Sequence, residues 1–178
     1  LHDIPKTVQN AFLSLKDLPI DFLTVHLSGG EEMLTSLTEI KEKYKLKTKI
    51  LGVSYLTSLA SPDTLDIFGF KLTEEHFKKL FLLATKTQLD GVICSINEVP
   101  FLKSINPQML AVTPGLRFKD EIQSGQNIGD QKRVYPIEEA FTHQVDYLVI
   151  GRSLTTIKDK ELLHKKIKIL SDIHFHNI

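Results

Sequence analysis

The chain has 178 residues, 42% of them hydrophobic and 25% charged, enough for one domain with a real core and too few for two ordinary ones. Lys+Arg and Asp+Glu balance at 22 each, so no basic excess argues for nucleic acid or an anionic membrane as partner. The single cysteine, Cys94, excludes an internal disulfide framework and suits a reducing cytoplasm, and no apolar run approaches the ~20 residues of a membrane span.

Ile4 to Leu18 reads as a helix, because Pro5 suits a first turn and Val8, Phe12 and Leu15 recur at helical spacing. Five apolar runs follow that are too short for helices and rich in branched residues: Phe22–Leu27, Ile50–Leu56, Gly91–Cys94, Met109–Thr113 and Tyr147–Ile150. Continuous apolar character, as opposed to alternation, predicts strands buried on both faces, as in a parallel sheet. Helical stretches are expected at Glu31–Tyr44, Thr73–Lys86, Ile96–Lys103, Ile137–His143 and Lys158–Ser171. Thr73 offers an N-cap, followed by Glu74 and Glu75 in the first turn. Gly29-Gly30 reads as a turn and helix entry, and Cys94 as a small core residue. No linker or low-complexity segment divides the chain, so residues 1–178 are expected to form part of one domain.

Strands alternating with helices predict a parallel α/β fold. A doubly wound sheet usually carries a Gly-rich phosphate loop after its first strand, and none is visible. A (β/α)8 TIM barrel holds phosphate after its last two strands. Here Thr113-Pro114-Gly115-Leu116-Arg117 follows the fourth run and Gly151-Arg152-Ser153 the fifth. Glycine exposes backbone N–H groups and arginine adds a planar fork of donors, a pairing suited to a phosphate dianion. The barrel is therefore the expected fold, with these runs as strands four to eight. Five strands do not close it, so strands one to three, on the order of 60–70 residues, are expected upstream of Leu1.

Several segments, in this order, resemble the orotidine 5′-phosphate decarboxylase family. They are Leu1-His2-Asp3-Ile4-Pro5-Lys6-Thr7-Val8, Val25-His26-Leu27-Ser28-Gly29-Gly30, Leu56-Thr57-Ser58 and Asp90-Gly91-Val92-Ile93-Cys94-Ser95. Val112-Thr113-Pro114-Gly115-Leu116-Arg117, Asp130-Gln131-Lys132-Arg133 and Val149-Ile150-Gly151-Arg152-Ser153 complete the set. The family's signature is Asp-x-Lys-x-x-Asp-Ile-Pro; Asp3 fits its final aspartate, and the catalytic lysine is expected just before Leu1.

The resemblance implies conversion of orotidine 5′-monophosphate (OMP) to uridine 5′-monophosphate (UMP) in pyrimidine biosynthesis, without cofactor or metal. It implies a cytoplasmic homodimer whose sites are shared across the interface, with no nucleic-acid or membrane partner. Asp3 and Thr7 would reach the neighbouring subunit's site, Thr7 at the ribose hydroxyls. Thr57 would hydrogen-bond the pyrimidine edge, and Gln131 would bridge base and phosphate. Arg117 would support that loop and the phosphate, and Gly151 and Arg152 would bind the phosphate directly. The chemistry suits these types: loss of CO2 from C6 leaves a carbanion that a nearby ammonium stabilises and then protonates. The segment from Phe118 to Gln131 is expected to be a polar, glycine-bearing lid.

Simpler roles stand beside these. Asp3 is also a helix cap by type, Arg152 a surface salt-bridge residue, Thr57 a common strand-end residue and His26 a structural histidine. His174 and His176 are metal-ligand types near a terminus, with nothing else to suggest a metal. Two other functions remain open: a Mg²⁺-dependent sugar-phosphate decarboxylase or aldolase of the same barrel superfamily, and a catalytically silent nucleotide-binding barrel.

Overall fold

A computed structural model describes residues 1–59, 61–124 and 134–175. Helix α1 (Pro5–Ser14) begins with Pro5 in its first turn and buries Val8 and Phe12, four residues apart on one face. It stops four residues short of the expected Leu18. Ser14 Oγ donates to Ala11 O (2.7 Å), and Leu15 N–H bonds Phe12 O (3.0 Å), tightening the last turn. Strand β1 (Phe22–His26), a 3₁₀ turn (Leu27–Gly29) and α2 (Gly30–Lys43) follow. Gly30 takes φ +84°, a conformation that favours glycine at this helix entry. Next come β2 (Lys49–Val53), α3 (Ser61–Phe68), α4 (Glu74–Lys86) and β3 (Gly91–Ile93). Helix α4 starts at the expected Thr73, in a capping box where His76 Nδ1 accepts the Thr73 N–H (3.2 Å).

After α5 (Val99–Ile105) and β4 (Leu110–Thr113) the chain forms β5 (Leu116–Arg117) and α6 (Lys119–Ser124). It resumes with β6 (Tyr135–Pro136), β7 (Tyr147–Leu148), α7 (Arg152–Thr155) and α8 (Lys160–Phe175). The helix expected at Ile137–His143 is two 3₁₀ turns, Ile137–Glu139 and Phe141–His143. Of the segment expected as a lid, Phe118 is buried and 119–124 is helical, and its remaining residues lie outside the described residues.

Five strands form one parallel sheet in the order β1-β2-β3-β4-β7, and β5 and β6 pair separately. Each main-sheet strand lies beside its predecessor in that sheet, with no reversal of order. A doubly wound sheet reverses at its switch point, so the winding is that of a barrel wall.

The curvature agrees. Across five flat strands the edges would stand roughly 19 Å apart. Yet the rings of Phe22 on β1 and Tyr147 on β7 meet edge-on, with centroids 5.0 Å apart. Register pairs carry Tyr147 through Val112, Ile93 and Val53 to His26, four residues beyond Phe22. A stagger of about four residues is what half of an eight-stranded barrel accumulates, since its full shear is about eight.

One sheet face packs against helices. Val25, Val92 and Ala111 are fully buried there with Phe12, Leu37, Phe81 and Leu102. The other face departs from the expectation of burial on both sides: Tyr147 is 41% and Val149 48% exposed. That face lines the inside of the arc.

Two acidic residues lock the strand starts. Asp90, just before β3, takes Lys41 Nζ of α2 (2.5 Å) and the Ile50 N–H (2.7 Å). Asp146, just before β7, takes Lys103 Nζ of α5 (2.7 Å) and the Ala111 N–H (2.7 Å). Each carboxylate ties its strand to the preceding strand in the sheet and to the helix that leads into that preceding strand.

Candidate active site

Parallel strands end together, so the segments after His26, Val53, Ile93, Thr113 and Leu148 share one rim. Leu1 reaches this rim alongside β1. Its N donates to Thr24 O (2.6 Å), and its O accepts the His26 N–H (3.0 Å), the bonding pattern of a parallel strand neighbour. His2 and Asp3 are thereby carried past the carboxyl end of β1. The His2 and His26 rings stack with centroids 5.1 Å apart, and Ser28 Oγ stands 3.4 Å from His2 Nε2. Burial, and then the charge of His2, push the His26 imidazole below its ordinary value, so the neutral ring is favoured there.

Asp3 and Thr7 are exposed, four residues apart across the start of α1. Asp3 Oδ1 accepts the Ile4 N–H (2.7 Å). Thr57 is buried, 7% exposed, in a turn four residues beyond β2, which ends at Val53 and not at the expected Leu56. Ser54 fixes the exit of that strand by donating its N–H and Oγ to Ile93 O (3.1 and 3.0 Å).

Arg117 is 4% exposed in β5, with Nη1 bonded to Leu116 O (2.7 Å). Its guanidinium thus stiffens its own strand. Gly151 and Arg152 are exposed, Gly151 as the N-cap of α7. A Cβ on Gly151 would meet nothing within 4 Å, so open space faces that backbone. Gln131 lies outside the described residues.

The pairing of β4 with β7 brings the two arginine segments together: Val149 N–H bonds Thr113 O (2.9 Å), directly before both turns. Thr57 leaves the same rim two strands away, and Asp3 and Thr7 approach it from the β1 side. Two cavities of about 520 Å³ open elsewhere, around Pro107 and His143 and around Asp21 and Thr48, near the strand starts. Volume alone does not make those the site, because none of the converging polar groups lies there. Among the described residues no group of three or more His, Cys, Asp or Glu is placed to hold a metal ion. No described helix is long and apolar enough to cross a membrane.

Sequence reading missed a buried ion pair, Lys166 on α8 with Glu121 on α6 (2.8 Å). The partners stand 45 positions apart and no local spacing signals them.

Comparison with known proteins adds a separate line of support. The family profile described as the orotidine 5′-phosphate decarboxylase / HUMPS family matches residues 1–167. The chain is 36% identical over 168 residues to the orotidine 5′-phosphate decarboxylase of Vibrio cholerae serotype O1, covering 93% of this chain and 71% of that protein. It is 39% identical over 173 residues to the enzyme of that name from Streptococcus pyogenes serotype M18, covering 94% and 70%. The crystal structure of orotidine 5′-phosphate decarboxylase from Lactobacillus acidophilus matches with a TM-score of 0.71 at 30% identity, over 94% of this chain and 70% of that one.

Proposed function

The chain belongs to the orotidine 5′-phosphate decarboxylase / HUMPS family, and from that premise we propose how its residues divide the work of decarboxylation. The activity is that of a carboxy-lyase of pyrimidine biosynthesis, converting OMP to UMP. Gly151 and Arg152 hold the phosphate. One observation carries this assignment: an exposed Gly-Arg pair follows the last sheet strand, beside the turn after β4, with open space before the glycine backbone. Arg117, buried in β5 directly after that turn, supports the Gln131 loop and the phosphate. Thr57 addresses the pyrimidine edge, and Gln131 joins base to phosphate.

Asp3 and Thr7 serve the neighbouring subunit of a homodimer. Their exposure on the rim side of α1 supports that reading. A carboxylate there would keep a lysine ammonium charged beside C6, where the carbanion develops on loss of CO2 and takes up a proton. The phosphate lies far from the reacting carbon, so its binding energy contributes by positioning the base.

The five main-sheet strands are strands four to eight of the barrel. Support comes from the strand-like pairing of Leu1 with β1, the exposed concave face, and relatives matched over 70–71% of their length.

Arg152→Ala tests the phosphate assignment. Loss of a charge-assisted contact worth about 1.5–3 kcal/mol should weaken UMP binding by about 10- to 100-fold. Uridine binding should change little. Calorimetry showing equal losses for nucleotide and nucleoside would contradict the assignment.

A further inference from the structure

Lys166 is the buried lysine of α8. Lys160, Lys165 and Lys168 of the same helix are exposed, whereas Lys166 is 5% exposed. Its Nζ donates to Glu121 Oε1 (2.8 Å), stands 4.4 Å from the centre of the Phe118 ring, and lies 3.7 Å from Asp120 Oδ2. Glu121, 4% exposed, uses its other oxygen to accept the Phe118 N–H (3.2 Å). One ammonium therefore engages three consecutive parts of the β5–α6 segment: a ring, a carboxylate bonded to the backbone, and an outer carboxylate.

The two ends of this contact matter for what lies beyond them. Phe118 adjoins Arg117 directly. Helix α8 continues from α7, whose first residue is Arg152, through a short connection closed by the Ile157 N–H bond to Leu154 O (3.2 Å). Adjacent strands β4 and β7 feed these segments, yet the sheet pairing described above ends at Val149. Past that point Lys166 links one segment to the other.

We propose that Lys166 is a positioning residue, holding the Arg117 segment in a fixed relation to the Gly151-Arg152 segment and so setting the geometry in which phosphate is received. The inference rests on the reading of Arg152 as a phosphate ligand. Apolar packing alone would not need a charge here: burying an ammonium is costly, and only a buried carboxylate and an aromatic face together offset it. The charge fixes direction, which a methylene contact would not.

Calorimetry with UMP and with uridine separates this role from general support of the fold. Three variants are needed: Lys166→Met, Lys166→Arg, and the pair Lys166→Met with Glu121→Gln, which leaves no buried carboxylate without its cation and keeps an acceptor for the Phe118 N–H. Lys166→Met and the double variant should lose about tenfold in UMP affinity, with uridine affinity changed less than about twofold. Lys166→Arg should recover most of the UMP loss. If Lys166→Met does not fold, the double variant, checked by its thermal transition, carries the test. An unchanged ratio of UMP to uridine affinity in a folded charge-free variant overturns the proposal. Arg152→Ala, measured alongside, distinguishes the two failures. A loss shared equally by UMP and uridine there overturns the phosphate reading and the strut with it, whereas a UMP-selective loss there with an unchanged ratio in the Lys166 variants overturns the strut alone.

Discussion

His26 shows how one residue's surroundings decide its charge. It sits half-buried at the end of β1, stacked on His2, and both burial and the charge of His2 disfavour its imidazolium. In the unfolded chain the ring titrates near 6.5. With the folded value lower, the unfolded state binds the extra proton as pH falls below about 6.5, so stability declines with acidity there and is level above it. Urea midpoints measured from pH 5 to 8 should show that decline, and His26→Gln should make it shallower; an identical slope in the variant would remove His26 as its source. At this scale the sequence is informative where a motif is local. The residues from Leu1 to Thr7 and the pair Gly151-Arg152 are legible because their neighbours carry the pattern. The Lys166–Glu121 contact is not, because it is made only when two remote helices dock. Arg117 lies between these cases: its motif is visible, but its burial against its own strand is a product of packing.

At the scale of elements, strands were legible from unbroken apolar runs, and α2 and α4 from apolar spacing with a start signal. Helix α3 escaped notice despite Ser61-Pro62-Asp63 at its start. Leu65, Ile67 and Phe68 are 40–62% exposed, so no single buried stripe marks the period. The short β5 and β6 have two residues each, below the length at which alternation can be read. What the element pattern does not reveal is how strands are held in register at their starts. Asp90 and Asp146 do this, each accepting a backbone N–H from the neighbouring strand and a lysine from a flanking helix. Asp146→Ala should leave the Ala111 N–H without its acceptor and lower stability by about 1–3 kcal/mol. Asp146→Asn, which can still accept that bond, should cost less. Chemical denaturation checks both, and equal losses would mean that the charge pair with Lys103 matters more than the capped N–H.

For the whole molecule, strand order and stagger decide the architecture. Sequential parallel order excludes a doubly wound sheet, and the Phe22–Tyr147 contact bends the sheet into an arc with the stagger of a (β/α)8 wall. The barrel was legible from the positions of two phosphate-type segments after the last strands. The open concave face was not, because a run of apolar residues looks the same whether or not a closing partner covers it. Parallel winding places the turns that carry Thr57 and Gly151-Arg152 on one rim, and the family relation gives the chain its reaction. The direct test is turnover of OMP by the native protein, followed as loss of OMP and appearance of UMP, with and without EDTA. The account predicts stoichiometric UMP and CO2 at a rate that chelation leaves unchanged. Absence of UMP, or an activity that requires Mg²⁺ and acts on sugar phosphates in place of OMP, would contradict it.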